Sequence, residues 1–220
     1  MNIYNNKKNL FFKLKQNASK EWAQYTKHKF VISLGDGTLK LSSFKDYLLQ
    51  DYIFLQKFVK ILSLAAYKAK TLEDRNRSIN FIIGIQHELS LHAGYCKKFN
   101  ISKNKLSKVK EKKENRQYTD YVLKTGIQKS NLELFVALSP CIIGYGEIGY
   151  YLSKLKGWKK SKYASWIKMY ASEEYQNISR ENILYLDKLF TKVQKNSYNS
   201  LIKIFKKASK LEANFWEMSL

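Results

Sequence analysis

A single proline, Pro140, stands in a chain of 220 residues, with only nine glycines around it. Short strands joined by tight turns need far more of both residues. The chain is therefore built from helices. Apolar residues recur at i, i+3, i+4 and i+7 through "YLLQDYIFLQKFVKILSLAAYKAK", "RNRSINFIIGIQHELSLHAGYCKKF" and "LFVALSPCIIGYGEIGYYLSKL", runs well beyond strand length. Ser43 with Asp46, Thr71 with Asp74, and Ser130 with Glu133 precede these runs at capping-box spacing. Further helices are expected over 9–26, 117–128, 163–170, 173–194 and 197–218, with "SLGDGTL" as a turn-rich connector. No linker, repeat or low-complexity insert divides the sequence. The reading is one all-α domain over residues 1–220, with about seven or eight helices. The long helices near 71–99 and 131–155 are apolar on most faces and are expected in the middle of the bundle.

Hydrophobic residues make up 45% of the chain and aromatics 15%, enough for a packed core. The formal charge of +22 invites a nucleic-acid reading. Against it, the only arginines are Arg75, Arg77, Arg116 and Arg180. Arginine is the usual reader of bases and phosphates. Richness in Lys, Asn, Ile and Tyr also matches A/T-rich codons, so the charge reads as a solvated lysine surface. No apolar run is expected to reach the length of a membrane span, and lysines interrupt the N-terminal segment before a signal-peptide core forms. Two cysteines, Cys96 and Cys141, do not make a disulfide framework. A cytoplasmic protein is expected, with no nucleic-acid or membrane partner.

Some polar groups fit poorly into a plain core. Pro140 removes a backbone hydrogen bond inside an apolar helix, at a typical cost of about 3 kcal/mol, and Cys141 follows it. Cys141 and Tyr145 are four apart and share a face. The plain alternative is a small buried hydrophobe. Tyr47, Asp51, Phe54 and Phe58 form one helical stripe with a carboxylate in it, and Glu212, Phe215 and Trp216 repeat the pattern. Each acid either reaches water at the stripe's edge or is buried with a hydrogen-bond partner. Tyr118 and Tyr170 add phenols on apolar faces. Together these groups describe an aromatic-lined pocket for a flat ligand. His87 and His92 are five apart, which is not the HExxH zinc spacing. Glu88 and His92 are four apart, but a two-iron carboxylate inventory is not visible. No metal or other cofactor is expected.

The ordered stretches "FKDYLLQDYIFL", "HELSLH", "YTDYV", "SPCIIGYGEIG", "WIKMYASEEY" and "EANFWEM" resemble the TenA, or thiaminase II, family over nearly the whole chain. The resemblance implies a heme-oxygenase-like helical bundle without heme, and a homotetramer. It implies hydrolysis at the C5 methylene of a 4-amino-2-methylpyrimidine, in thiamine or in the aminomethylpyrimidine, as a salvage step. By position, Cys141 matches the nucleophile and Glu212 the acid/base. Asp51 matches the aspartate that reads the amino and N3 edge. Tyr118 and Phe215 match ring-contacting aromatics, Tyr145 and Tyr170 match pocket tyrosines, and Glu88 matches a polar helix residue near the site. Phe54 departs from the family, where many members carry tyrosine. Cys141 places the chain in the branch with cysteine rather than glutamate. Two alternatives stay open: a metal-dependent oxygenase on the same fold, and a non-catalytic pyrimidine-binding or regulatory protein.

Overall fold

The computed structural model describes residues 3–191 and 198–220, apart from the side chains at 87, 90–93 and 103. The described residues are helical, in the order α1 (Leu10–Asn17), α2 (Ser19–Thr26), α3 (Lys29–Asp36), α4 (Leu41–Lys68), α5 (Leu72–Lys98), α6 (Lys103–Lys108), α7 (Lys113–Gln128), α8 (Asn131–Ser139), a π-turn (Pro140–Gly144), α9 (Tyr145–Leu152), α10 (Ala164–Tyr170), α11 (Glu173–Thr191) and α12 (Tyr198–Glu217). The all-α class holds. The helix ends expected at 194 and 197 lie outside the described residues. The chain forms two compact units, Met1–Leu39 with Phe135–Glu217, and Lys40–Leu134 with Met218–Leu220.

In the first unit, the helix expected over 9–26 is broken at Ala18, whose backbone leaves the helical region (φ −109°, ψ 27°). In a straight helix Phe11 and Trp22 would stand about 16 Å apart along the axis. Across the break their rings lie 5.5 Å apart, and both pack on Phe205 of α12. Burying three aromatic rings together outweighs one interrupted turn. Asn9 caps α1 through Phe12 N, and Asp187 of α11 accepts from Leu10 N at 2.6 Å. The expected connector holds a helix instead, α3. Its cap is His28, whose Nδ1 accepts from Phe30 N at 3.2 Å in place of the usual Ser, Thr, Asp or Asn.

Pro140 has no N–H to give the Val136 carbonyl four residues back. The Ser139 hydroxyl supplies the missing donor, 2.8 Å from that carbonyl. The helix then widens into a π-turn, the usual way an α-helix absorbs one extra residue. The continuous run Asn131–Leu152 is 22 residues long and apolar enough to cross a membrane, which corrects the sequence expectation on apolar runs. Its most apolar window is 89% buried within the protein, so packing against other helices accounts for its composition.

In the second unit, α4 packs along α5 and α7. Thr71 caps α5 as expected: its Oγ1 accepts from Asp74 N and donates to Asp74 Oδ2. Before α8 one half of the expected box forms: the Glu133 carboxylate reaches back and accepts from Ser130 N at 3.0 Å and from the Ser130 hydroxyl. Ser43 does not cap. It lies inside α4, which starts at Leu41, and Asp46 instead accepts from Lys112 Nζ and Ser219 Oγ. Helix α5 is also not central within its unit. Of its described side chains only Asp74, Ser78, Ile85 and Cys96 are buried, while Ile79 and Ile83 are exposed. One face of α5 packs on α4, so the apolar residues on its other sides stay in solvent.

A buried ion pair ties α1 to α9. Lys15 Nζ lies 3.2 Å from both oxygens of Glu147 and 2.7 Å from the Tyr4 carbonyl, and Trp22 Nε1 donates to the same carboxylate at 3.5 Å. Burial pushes the Glu147 carboxyl above its ordinary value, and Lys15 pulls it part-way back. A carboxyl raised by folding favours the native state below its unfolded pKa, and that contribution is lost as pH rises through the folded value. Removing the cation leaves a buried charge uncompensated. Lys15→Met is expected to cost about 3–5 kcal/mol at pH 8 and less at pH 5, because lower pH favours the uncharged form of the raised carboxyl. Urea unfolding at the two pH values measures this, and adding Glu147→Gln should recover most of the loss at pH 8.

Candidate functional site

In the first unit the structure gathers aromatic rings around Tyr145, the first residue after the π-turn. The Tyr145 ring lies 5.0 Å from Tyr170, 5.9 Å from Trp166 and 5.2 Å from Trp216, and Trp166 and Tyr170 are 4.4 Å apart. These rings come from α9, α10 and α12. Phe215 lies beside Trp216, with ring centroids 6.3 Å apart. Glu212 stands one turn before Trp216 on α12 and is 1% exposed. Helix α12 also packs against the π-turn that carries Cys141.

Helix α10 comes close to α9 because Gly149 has no side chain. A Cβ there would sit 2.6 Å from the Tyr170 carbonyl carbon. Gln176 locks the arrangement. Its Nε2 donates to the carbonyls of Gly146 and Tyr170, both at 2.9 Å, and its Oε1 accepts from the Tyr4 hydroxyl at 2.7 Å. Burial pushes the Tyr4 phenol well above its ordinary range, which keeps it a proton donor here.

Cys141 has an exposure pattern that sequence periodicity does not foresee. Every residue from 134 to 149 is buried except Cys141, which is partly accessible. Cys96 is fully buried. Cys141 is the second residue of the π-turn, where the backbone departs from the 3.6-residue period.

In the second unit the stripe on α4 is buried throughout. Tyr47, Phe54 and Phe58 are in the core, and Asp51 is 6% exposed, so it does not reach water at an edge. Phe54 lies 5.3 Å from Tyr118 of α7 and 5.4 Å from Phe58. Gln50, beside Asp51, fixes the start of α7: its Nε2 donates to the Lys110 carbonyl at 3.0 Å, and its Oε1 accepts from Lys112 N at 2.9 Å. Asn115 donates to the Gln50 carbonyl at 2.8 Å. Glu88 is half-buried on α5. His92, four residues further on, has a side chain outside the described set. Among the described residues, no three His, Cys, Asp or Glu side chains cluster as metal ligands would.

Trp22, Tyr25, Trp166 and Gln176 belong to the framework around Tyr145 but did not stand out in the sequence. Trp166 carried a weak signal, four residues before Tyr170 on one helical face. Gln176 carried none, because its partners lie on α9, α10 and the N-terminal segment.

The TENA/THI-4/PQQC family model matches residues 15–220. An aminopyrimidine aminohydrolase from Helicobacter pylori is 32% identical, covering 94% of this chain and 96% of its own. An aminopyrimidine aminohydrolase from Halalkalibacterium halodurans is 30% identical, covering 94% and 93%. A solved structure from Silicibacter sp. TM1040, described as a TenA family transcription regulator, superposes with a TM-score of 0.91 at 32% identity, covering 95% of each chain. A family match over residues 15–220, with relatives 30–32% identical along nearly their whole length, makes this chain a member of the TENA/THI-4/PQQC family.

Proposed function

We propose that the chain is an aminopyrimidine hydrolase of the thiaminase II type, acting in thiamine salvage through a cysteine nucleophile. The observation that carries this reading is the partial accessibility of Cys141 within an otherwise buried run of sixteen residues, 134–149. A structural cysteine in a core helix would be sealed, as Cys96 is. A nucleophile must meet a ligand.

In this reading the Cys141 thiolate adds to C6 of the pyrimidine. The ring electrons then expel the group on the C5 methylene, which is ammonia from the aminomethylpyrimidine or the thiazole from thiamine. Water adds at the methylene, and the thiolate leaves as the ring recovers its aromaticity. A thiol of ordinary pKa is mostly protonated near neutral pH, and Glu212 is the group that moves protons among thiol, ring and leaving amine. Asp51 accepts from the exocyclic amine, which selects aminopyrimidines over oxo forms, since an oxo group gives it no proton. Tyr118, Phe54 and Phe215 supply flat contact surface. Tyr145 and Tyr170 supply hydroxyls, and Glu88 supports the site from α5. The family match runs through both compact units, which supports reading residues 1–220 as one module.

The same proposal places the protein in the cytoplasm as a homotetramer, with a small aminopyrimidine as its partner and no cofactor, nucleic acid or membrane. Exposed pairs at i and i+4, Ile79 with Ile83 on α5 and Leu123 with Ile127 on α7, favour association with further copies. The near-absence of arginine argues against nucleic acid.

Purified protein incubated with the aminomethylpyrimidine is expected to release ammonia. Cys141→Ser should abolish release, and Glu212→Gln should lower kcat by about 10²–10⁴-fold. An unchanged rate in Cys141→Ser would reject the mechanism. Tight pyrimidine binding without turnover would favour a regulator instead. In the native protein, iodoacetamide should modify Cys141 and leave Cys96 untouched until urea is added, as mass spectrometry of the peptides will read. Phe54→Tyr restores the hydroxyl many family members carry. It should raise kcat roughly tenfold, the effect of one hydrogen bond of ordinary strength.

A further inference from the structure

We propose that Tyr25 is a positioning residue for Cys141, acting through the carbonyl of the peptide bond that joins Pro140 to it. The inference rests on the reading of Cys141 as the nucleophile. The Tyr25 hydroxyl donates to the Pro140 carbonyl at 3.2 Å, and its residue is fully buried. That carbonyl shares its peptide plane with the Cys141 nitrogen. Holding the oxygen therefore holds the tilt of the plane, and with it the direction in which the Cys141 side chain leaves the backbone.

A π-turn needs such a hold more than an ordinary helix does. It is a rare insertion in the i→i−4 ladder, so a side-chain bond to one of its carbonyls helps fix its course. Pro140 has already removed one rung of the ladder. Tyr25 is itself fixed from several sides. Its ring stacks on Trp216 at 6.3 Å with 14° between planes, meets Trp22 edge-on at 5.5 Å, and lies 6.5 Å from Tyr145. Trp22 is anchored in turn on Glu147. The approach also requires Gly144. A Cβ there would sit 2.5 Å from Tyr25 Cε1 and 2.8 Å from the hydroxyl oxygen. The glycine in the turn and the tyrosine on α2, far earlier in the chain, thus form one device, which sets the thiol's place and direction.

The role concerns placement of a reacting atom, for which a shift of about 1 Å commonly costs roughly 100-fold in rate. Tyr25→Phe keeps the ring and removes only the donor. We expect kcat for ammonia release to fall about 10–100-fold with KM little changed, because the hydroxyl touches no substrate in this scheme. The pH profile of Cys141 alkylation by iodoacetamide should move away from that of the wild type, since the thiol then meets its surroundings from a different direction. Gly144→Ala displaces Tyr25 by another route and should reproduce both effects. The double variant should be no worse than the more damaged single one. Cys141→Ser is assayed beside them. If it is inactive while Tyr25→Phe and Gly144→Ala keep wild-type kcat and an unmoved alkylation profile, the positioning role is overturned and the hydrolase reading stands. If Cys141→Ser retains activity, the hydrolase reading fails. The alkylation profile then decides alone: a shift in both variants upholds control of the thiol by Tyr25, and no shift overturns it.

Discussion

One missing backbone donor organises a deeply buried helix of this protein. Pro140 cannot supply the hydrogen bond that the Val136 carbonyl expects, and burial forbids water from supplying it. An orphaned carbonyl in the core would cost about 1–3 kcal/mol. The Ser139 hydroxyl takes over that bond, the ladder shifts by one residue, and the π-turn follows. The serine beside the proline is thus part of the same solution. The outcome is a stretch, 134–149, in which every residue is buried but Cys141, which is partly open.

Aromatic rings cluster beside that turn. Trp22, Tyr25, Tyr145, Trp166, Tyr170 and Trp216 meet edge-on, tilted or stacked, at centroid distances between 4.4 and 6.5 Å. Rings in such contact hold each other's orientation more tightly than branched aliphatics, because each has few rotamers and a directional quadrupole. The polar groups are threaded among them at fixed points: Glu147 on Lys15 and Trp22, Gln176 on two carbonyls, and the Tyr25 hydroxyl on a third. Buried polar groups of this kind are costly when incomplete, so each one restricts the alternatives open to the fold.

The second unit solves a smaller problem in a related way. Asp51 is buried within an aromatic stripe, and the neighbouring Gln50 spends both ends of its amide on the backbone leading into α7. Tyr118, on that helix, is thereby set against Phe54. A single turn of α4 therefore carries both the carboxylate and the amide that orders its surroundings.

Helix content and most helix positions were legible in the sequence, because a 3.6-residue apolar period and a capping box are local properties written in adjacent residues. Thr71 and Ser130 show this directly. The buried stripe of Tyr47, Asp51, Phe54 and Phe58 was legible for the same reason. Ser43 misled because its local pattern matched a cap while packing began the helix at Leu41. The break at Ala18 was invisible because nothing in its own residues demands it; Phe205, nearly two hundred positions away, does. Gln176, Trp22 and Tyr25 were hidden likewise, since their partners come from distant helices. The sequence alone determined which residues carry thiol, acid and ring. Tertiary packing decided which of them are held, and by what, because orientation depends on neighbours that chain order does not reveal.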